Sequence, residues 1–258
     1  MKKIVSPLML AMALASAGTA MAQTAPAAPE SSLSFNVGAV NDYRYRGISQ
    51  SRLDPALQGG ADYADKSGAY IGIWGSSIKW IKDTNYNATV FGKAGTEVDI
   101  YGGYKFTVGD VGYDLGFLRY EYAGNKLQNV NPYVNANTNE LYGAVTMGVV
   151  TAKYSRTTGN IFGNANTKGS TYLDITANFD LGDGYTFAPH LGRQDIKNSS
   201  SLSYTDYALT LGKDLGNGLS ASAAAIGTNA KKDAYTSIYA PGKQMGKAGL
   251  VVGIKYAF

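Results

Sequence analysis

The sequence contains no cysteine and a single histidine, His190. A disulfide framework is therefore excluded, and a conventional zinc site is not expected. Beyond the first residues there is no run of 18 or more apolar residues, so no transmembrane helix is expected there. Lys and Arg are dispersed, and although the formal net charge is +4, no basic run suits nucleic acid. Sustained helical periodicity is also missing. Charged residues make up only 16% of the chain against 45% apolar residues, which fits one folded domain and argues against disorder.

What is present begins with a three-part leader. Met1-Lys2-Lys3 is a short basic start, and Ile4 to Ala17 is an apolar run interrupted only by Ser6, Pro7 and Ser16. Thr19-Ala20-Met21-Ala22 closes it with a small-x-small pattern. This is the grammar of a cleaved secretory signal peptide over 1–22, too short for a membrane anchor. Residues 23–32, rich in Ala and Pro, are expected to form a flexible entry segment. The compositional excess is in Tyr (20) and Gly (32). Tyr suits strands and membrane interfaces, and Gly suits tight turns and close strand packing.

Period-2 alternation marks twelve segments as strands: 33–46, 56–64, 69–80, 95–106, 111–122, 139–146, 149–157, 169–181, 185–195, 202–213, 219–228 and 247–258. The region 139–157 reads either as two strands or as one bent one. Alternate connections are short and rich in turn formers, such as Gly182-Asp183-Gly184 and Asp214-Leu215-Gly216-Asn217-Gly218. The connections between them, 47–55, 81–94, 123–138, 158–168, 196–201 and 229–246, are mostly longer and polar. Such a rhythm predicts an all-β fold: a transmembrane antiparallel β-barrel of about twelve strands over 33–258, with short periplasmic turns and long extracellular loops. In the last segment Leu250, Val252, Ile254, Tyr256 and Phe258 share one face. Tyr256 and the terminal Phe258 look like the signal read by the barrel-assembly machinery, which would be a partner during insertion. Outer-membrane lipid is the other expected partner.

Alternation also sorts the strands into faces. Leu33, Phe35, Val37, Ala39, Tyr43 and Tyr45 fall on one side of the first strand, opposite Asp42, Arg44 and Arg46. Ionised side chains at mid-bilayer on the lipid face cost about 2–4 kcal/mol for Arg or Lys, so the polar set is expected inside. The expected lumen-lining acids are Asp42, Asp62, Glu97, Asp99, Asp114, Glu140, Asp174 and Asp206. The bases are Arg44, Arg46, Lys105, Lys153 and Lys255, and His190 falls on the inward parity too. The facing of 69–80 stays open, since Ile71 and Ile73 alternate with Tyr70, Gly72 and Trp74. Two arrangements are compatible with this set. Acids and bases either segregate across a water-filled bore and orient polar solutes, or pair and fill a narrow one. A narrow, wet bore is the favoured expectation.

The stretch Phe35-Asn36-Val37-Gly38-Ala39-Val40-Asn41-Asp42-Tyr43-Arg44-Tyr45-Arg46-Gly47-Ile48-Ser49-Gln50 resembles the opening signature of the TorF porin family. Pro55 to Tyr63, Tyr70 to Ser77 and Glu97 to Tyr104 are similar to it as well, and the likeness is specific over about residues 33–122. The resemblance implies an exported outer-membrane barrel classed as a porin. It brings no established substrate and no site residues.

Chemistry beyond transport finds little support. Nothing in sequence ties His190 to a nucleophile. Glu97 and Asp99 lie two apart on one strand face, a spacing usable for acid–base work or Ca²⁺ but equally that of a solvated wall. Gly59-Gly60 and Gly102-Gly103 lie within strands and form no phosphate loop. The expected function is a channel for passive diffusion of small hydrophilic solutes or ions, without catalytic residues, metal or cofactor. A loop-displaying adhesin or receptor, and a barrel enzyme, are the alternatives.

Overall fold

The structure, a computed structural model, describes residues 31–84, 93–236 and 242–258. The expected signal peptide and most of the entry segment lie outside the described residues, as do parts of the 81–94 and 229–246 loops. The chain runs β1 (Ser32–Val40), β2 (Arg44–Tyr45), β3 (Ile48–Ser49), β4 (Ala56–Ala64) and β5 (Ala69–Ser77), then the single-turn α1 (Trp80–Asp83). It continues with β6 (Thr96–Val108), β7 (Val111–Tyr122), β8 (Thr138–Met147), β9 (Val150–Thr157), β10 (Thr171–Ala177), β11 (Phe179–Gly182) and β12 (Tyr185–Asp195). β13 (Tyr204–Gly216), β14 (Leu219–Thr228) and β15 (Gly249–Ala257) complete it.

Twelve of these paths form one closed antiparallel barrel, with β10 and β11 as two halves of one strand and β2–β3 standing apart. Closure is made by β1 on β15, in register from Asn36 opposite Ala257 to Val40 opposite Gly253. Phe35 and Phe258 extend the seam with two reciprocal backbone hydrogen bonds of 2.8 and 3.0 Å. Closure leaves no unpaired edge, which a sheet in hydrocarbon requires. The 139–157 region is two strands, β8 and β9, joined at Gly148-Val149. Two-residue turns also join β6 to β7, β12 to its predecessor and β13 to β14. In the last, Asn217 (φ 53°) and Gly218 (φ 81°) both hold the left-handed conformation that matches strand twist.

One boundary differs in kind. The first strand stops at Val40, whereas alternation carried it to Arg46. Asp42 to Ser51 are buried without interruption, because the chain turns away from the wall and enters the bore. Tyr43 and Tyr45, expected toward lipid, are therefore inside, and Asp42, Arg44 and Arg46 are not on the wall. The departed segment is held inside by long-range contacts, Tyr43 to Glu97 and Arg46 to Glu140 and Gln194, in place of a barrel ladder.

The outward face is apolar: Leu33, Leu57, Ile71, Ile100, Leu115, Leu141 and Leu250 are among its exposed side chains. Ile71 and Ile73 belong to it, which settles the facing of β5. On β7 the outward series Val111, Tyr113, Leu115, Phe117 ends in the Arg119–Glu121 ion pair, and on β12 the series through Leu191 ends in Arg193–Asp195. Both pairs sit at the long-loop end and mark where the apolar belt stops.

The excesses of Gly and Tyr have a joint explanation inside. Tyr101 lies opposite Gly72, Tyr70 opposite Gly103, and Tyr142 opposite Gly116 on neighbouring strands. A Cβ on any of these three glycines would meet the ring or hydroxyl of its tyrosine. Each tyrosine thus lies flat across a position that only glycine leaves clear, covering backbone that would otherwise be bare.

Candidate functional site: the occupied bore

The candidate site is the middle of the bore, where β2 and β3 form a short hairpin across the lumen. Arg44 pairs with Ser49 and Tyr45 with Ile48, so Arg46-Gly47 is the two-residue tip. Both tip residues have positive φ, 46° and 78°, which suits Gly and strains Arg. The tip reaches the wall two and three strands from β1, since a Cβ on Gly47 would meet Thr228 of β14 and Asp206 of β13.

Arg46 carries the hairpin's strongest polar contacts. Its guanidinium donates to Glu140 on β8 at 2.7 Å and to the Gln194 side-chain carbonyl on β12 at 2.7 Å. It also stacks over the rings of Tyr172 and Tyr45, at 4.1 and 4.7 Å. Tyr43 donates to Glu97 on β6 at 2.6 Å and packs edge-on against Trp74. Arg44 donates to Asp42 at 2.6 Å and to the carbonyl oxygen of Lys247. Ser49 donates to the same Asp42 carboxylate, and the Ser51 hydroxyl, which donates to the Asp54 carbonyl oxygen, lies 3.3 Å from it, so that acid organises the hairpin from within. Backbone bonds tie the base of the hairpin to neighbouring loops: the Ser49 amide to the Met245 carbonyl, and the Lys79 and Trp80 amides to that of Gln50.

The remaining expected charges lie on the wall, and most meet tyrosine hydroxyls. Tyr101 donates to Asp62, and Tyr70 donates to Asp114 at 2.7 Å. Lys153 and Lys105 sit over the Tyr142 and Tyr70 rings, at 3.8 and 4.9 Å. Lys255 lines a small wall pocket with Gln58, Trp74 and Ser220. His190 lies between Asp206, 2.8 Å from Nε2, and Asp174, 3.3 Å from Nδ1, with Tyr172 and Thr176 also in contact. Thr176 is 3.3 Å from His190, but its hydroxyl donates to Asp174 at 2.8 Å. The cluster is a polar network across three strands. Among the described residues no group of three or more His, Asp or Glu is placed to hold a metal ion. Tyr256 and Phe258 face outward, their rings stacked at 5.6 Å, and Phe258 also stacks on Phe35 at 5.7 Å.

The hairpin divides the bore. A cavity of about 260 Å³ on the long-loop side is lined by Tyr45, Ile48 and Gln50 below and by Trp80, Tyr133 and Tyr235 around it. A second, of about 110 Å³, lies on the short-turn side beneath Asp42, Tyr43 and Arg46, and reaches His190 and Thr210. At the outer rim Arg52 pairs with Asp83, and Lys79 with Asp54 at 2.7 Å. Asp83 holds the Arg52 guanidinium above its ordinary range, and Lys79 holds Asp54 below the usual carboxylate range. The bore therefore follows the paired, filled arrangement at mid-height and keeps open space only above and below. The residues that sequence reasoning missed are the inward tyrosines Tyr43, Tyr45, Tyr120, Tyr122, Tyr172 and Tyr204.

With this geometry established, comparison with known proteins is informative about fold. Residues 23–258 match the family described as "Bacterial protein of unknown function (Gcw_chp)", and the chain belongs to that family. None of the curated proteins matches it. Among solved structures it is similar to the KdgM porin in complex with disordered oligogalacturonate, with a TM-score of 0.53 at 10% identity, covering 88% of this chain and 99% of that one. It is similar to the NanC porin to the same extent, with a TM-score of 0.52, 11% identity and the same coverage. The fold is that of a porin-like outer-membrane barrel.

Proposed function

We propose that the protein is an outer-membrane channel for passive diffusion of small hydrophilic solutes or ions, performing no covalent chemistry. The observation that carries this reading is the opposite polarity of the two faces of one closed sheet. Apolar side chains cover the outside while Glu97, Asp99, Asp114, Glu140 and Asp206 are turned inward. Placing that many carboxylates inside a barrel is costly unless water or counter-charges meet them there. Cavities on both sides of the hairpin supply space for solutes in transit. The likeness of residues 33–122 to the TorF porin family supports the same reading. Leader and terminal Phe258 fit export and assembly into the outer membrane of a Gram-negative cell.

The test is single-channel conductance of the refolded mature protein in a planar lipid bilayer. Discrete, reproducible current steps are expected. Silence from protein shown separately to be folded would defeat the reading and move attention to the outer loops.

A further inference from the structure

We infer that the β2–β3 hairpin is a removable gate, latched by Arg46 on Glu140 and Gln194, and that its release exposes an acidic wall selecting cations. This rests on the channel reading. From its root at Val40 the hairpin reaches into the bore: its tip at Gly47 meets Thr228 of β14 and Asp206 of β13, two and three strands from β1, and the Arg46 side chain spans on to Gln194 of β12 and Glu140 of β8, four and five strands away. It pairs with no barrel strand, so no sheet ladder has to break for it to leave. Side-chain bonds to the wall and a few backbone bonds to loops hold it.

The closed arrangement is also incompletely satisfied. The Nε of Arg46 and Oδ1 of Asp99 are buried and make no hydrogen bond, and Arg46 is a non-glycine residue at φ 46°. Orphaned buried polar groups and strained backbone both raise the energy of the state that contains them. Opening hydrates the first and relaxes the second, which lowers the free-energy difference between closed and open.

Charge is unevenly divided between gate and wall. The hairpin carries Arg44 and Arg46 against Asp42. The wall behind it carries Glu97, Asp99, Glu140 and Asp206, with Lys153 and His190, the latter bonded to Asp206, as its bases. Once the arginines leave, the constriction is ringed mainly by carboxylates, and such rings favour cations. Solute entering the outer cavity meets Tyr45, Ile48 and Gln50 of the hairpin directly, so the gate is also the first surface touched.

Absence of native cysteine makes a cross-linking test clean. Gly47→Cys with Thr228→Cys places two thiols across the contact between tip and wall, since Thr228 Cβ is one bond beyond the atom a Gly47 Cβ would meet. In planar bilayers with potassium chloride, the oxidised variant is expected to lose about tenfold or more of its open probability, and dithiothreitol to restore it. Because a side chain at Gly47 is strained, Arg46→Ala provides an independent arm. It is expected to raise open probability about tenfold or more, with a cation-selective reversal potential that Glu97→Gln plus Asp99→Asn moves toward zero. Equal conduction by oxidised and reduced variants, with cross-linking verified by mass, would overturn the gate and leave the channel standing. So would an unchanged open probability in Arg46→Ala. Silence from wild type, reduced variant and Arg46→Ala alike, all folded, would overturn the channel and the gate with it.

Discussion

Leu115→Arg places a cation on the outward face of β7 at the centre of its apolar series. Leu115 is 56% exposed, with Tyr104 and Gly143 as its cross-strand neighbours. It stands four residues from Val111 at the short-turn end and four from Arg119, where the series ends in charge. At about 3.4 Å per residue that is roughly 14 Å along the strand in either direction. A strand tilt of about 40° reduces this to about 10 Å of depth. An arginine stem reaches only part of that way, so snorkelling relieves the cost without removing it. The expected destabilisation is about 2–4 kcal/mol. The same residue type at position 119 is native and paired with Glu121, so Arg119→Leu is expected to change stability by less than about 1 kcal/mol. Phe117→Arg should fall between them. The measurement is equilibrium urea unfolding of the three variants in phospholipid vesicles, followed by tryptophan fluorescence. A cost below about 1 kcal/mol at Leu115, or equal costs at 115 and 117, would refute the placement of this face against hydrocarbon.

Gly116→Ala is expected to cost about 1–3 kcal/mol, because its Cβ meets the Tyr142 hydroxyl. Removing the ring in a Tyr142→Ala background should lower that cost, leaving the part due to the Gly102 carbonyl oxygen 2.9 Å from the same Cβ, and additivity in that cycle would count against the flat-ring packing. Tyr43→Phe leaves the buried Glu97 carboxylate without its 2.6 Å donor, an expected loss of about 1–3 kcal/mol measurable by the same unfolding assay. Deleting Phe258 removes its stacking on Phe35 and two backbone bonds at the seam. Folding yield into vesicles, read from heat-modifiable gel mobility, should fall, and a yield equal to wild type would remove Phe258 from assembly.

Period and punctuation in the sequence determined the barrel. Side chains in a strand alternate strictly, so one polar and one apolar face can be read from order alone, and turn chemistry marks every second connection. The wall acids Glu97, Asp99 and Glu140 and the network histidine His190 were legible for that reason. Alternation carries no information about when a strand ends if the next residues happen to keep the period. Asp42-Tyr43-Arg44-Tyr45-Arg46 does keep it, and so it read as wall. Only tertiary structure could decide its fate, because the deciding contacts join positions far apart in sequence: Arg46 with Glu140 and Gln194, Tyr43 with Glu97, Gly47 with Thr228. Those contacts depend on strand tilt, on register and on ring closure of β1 against β15, which bring β6, β8, β12 and β14 around one axis. The pairing of inward tyrosines with glycines belongs to the same class. Composition announced both residues in excess, but register alone set each ring over its gap.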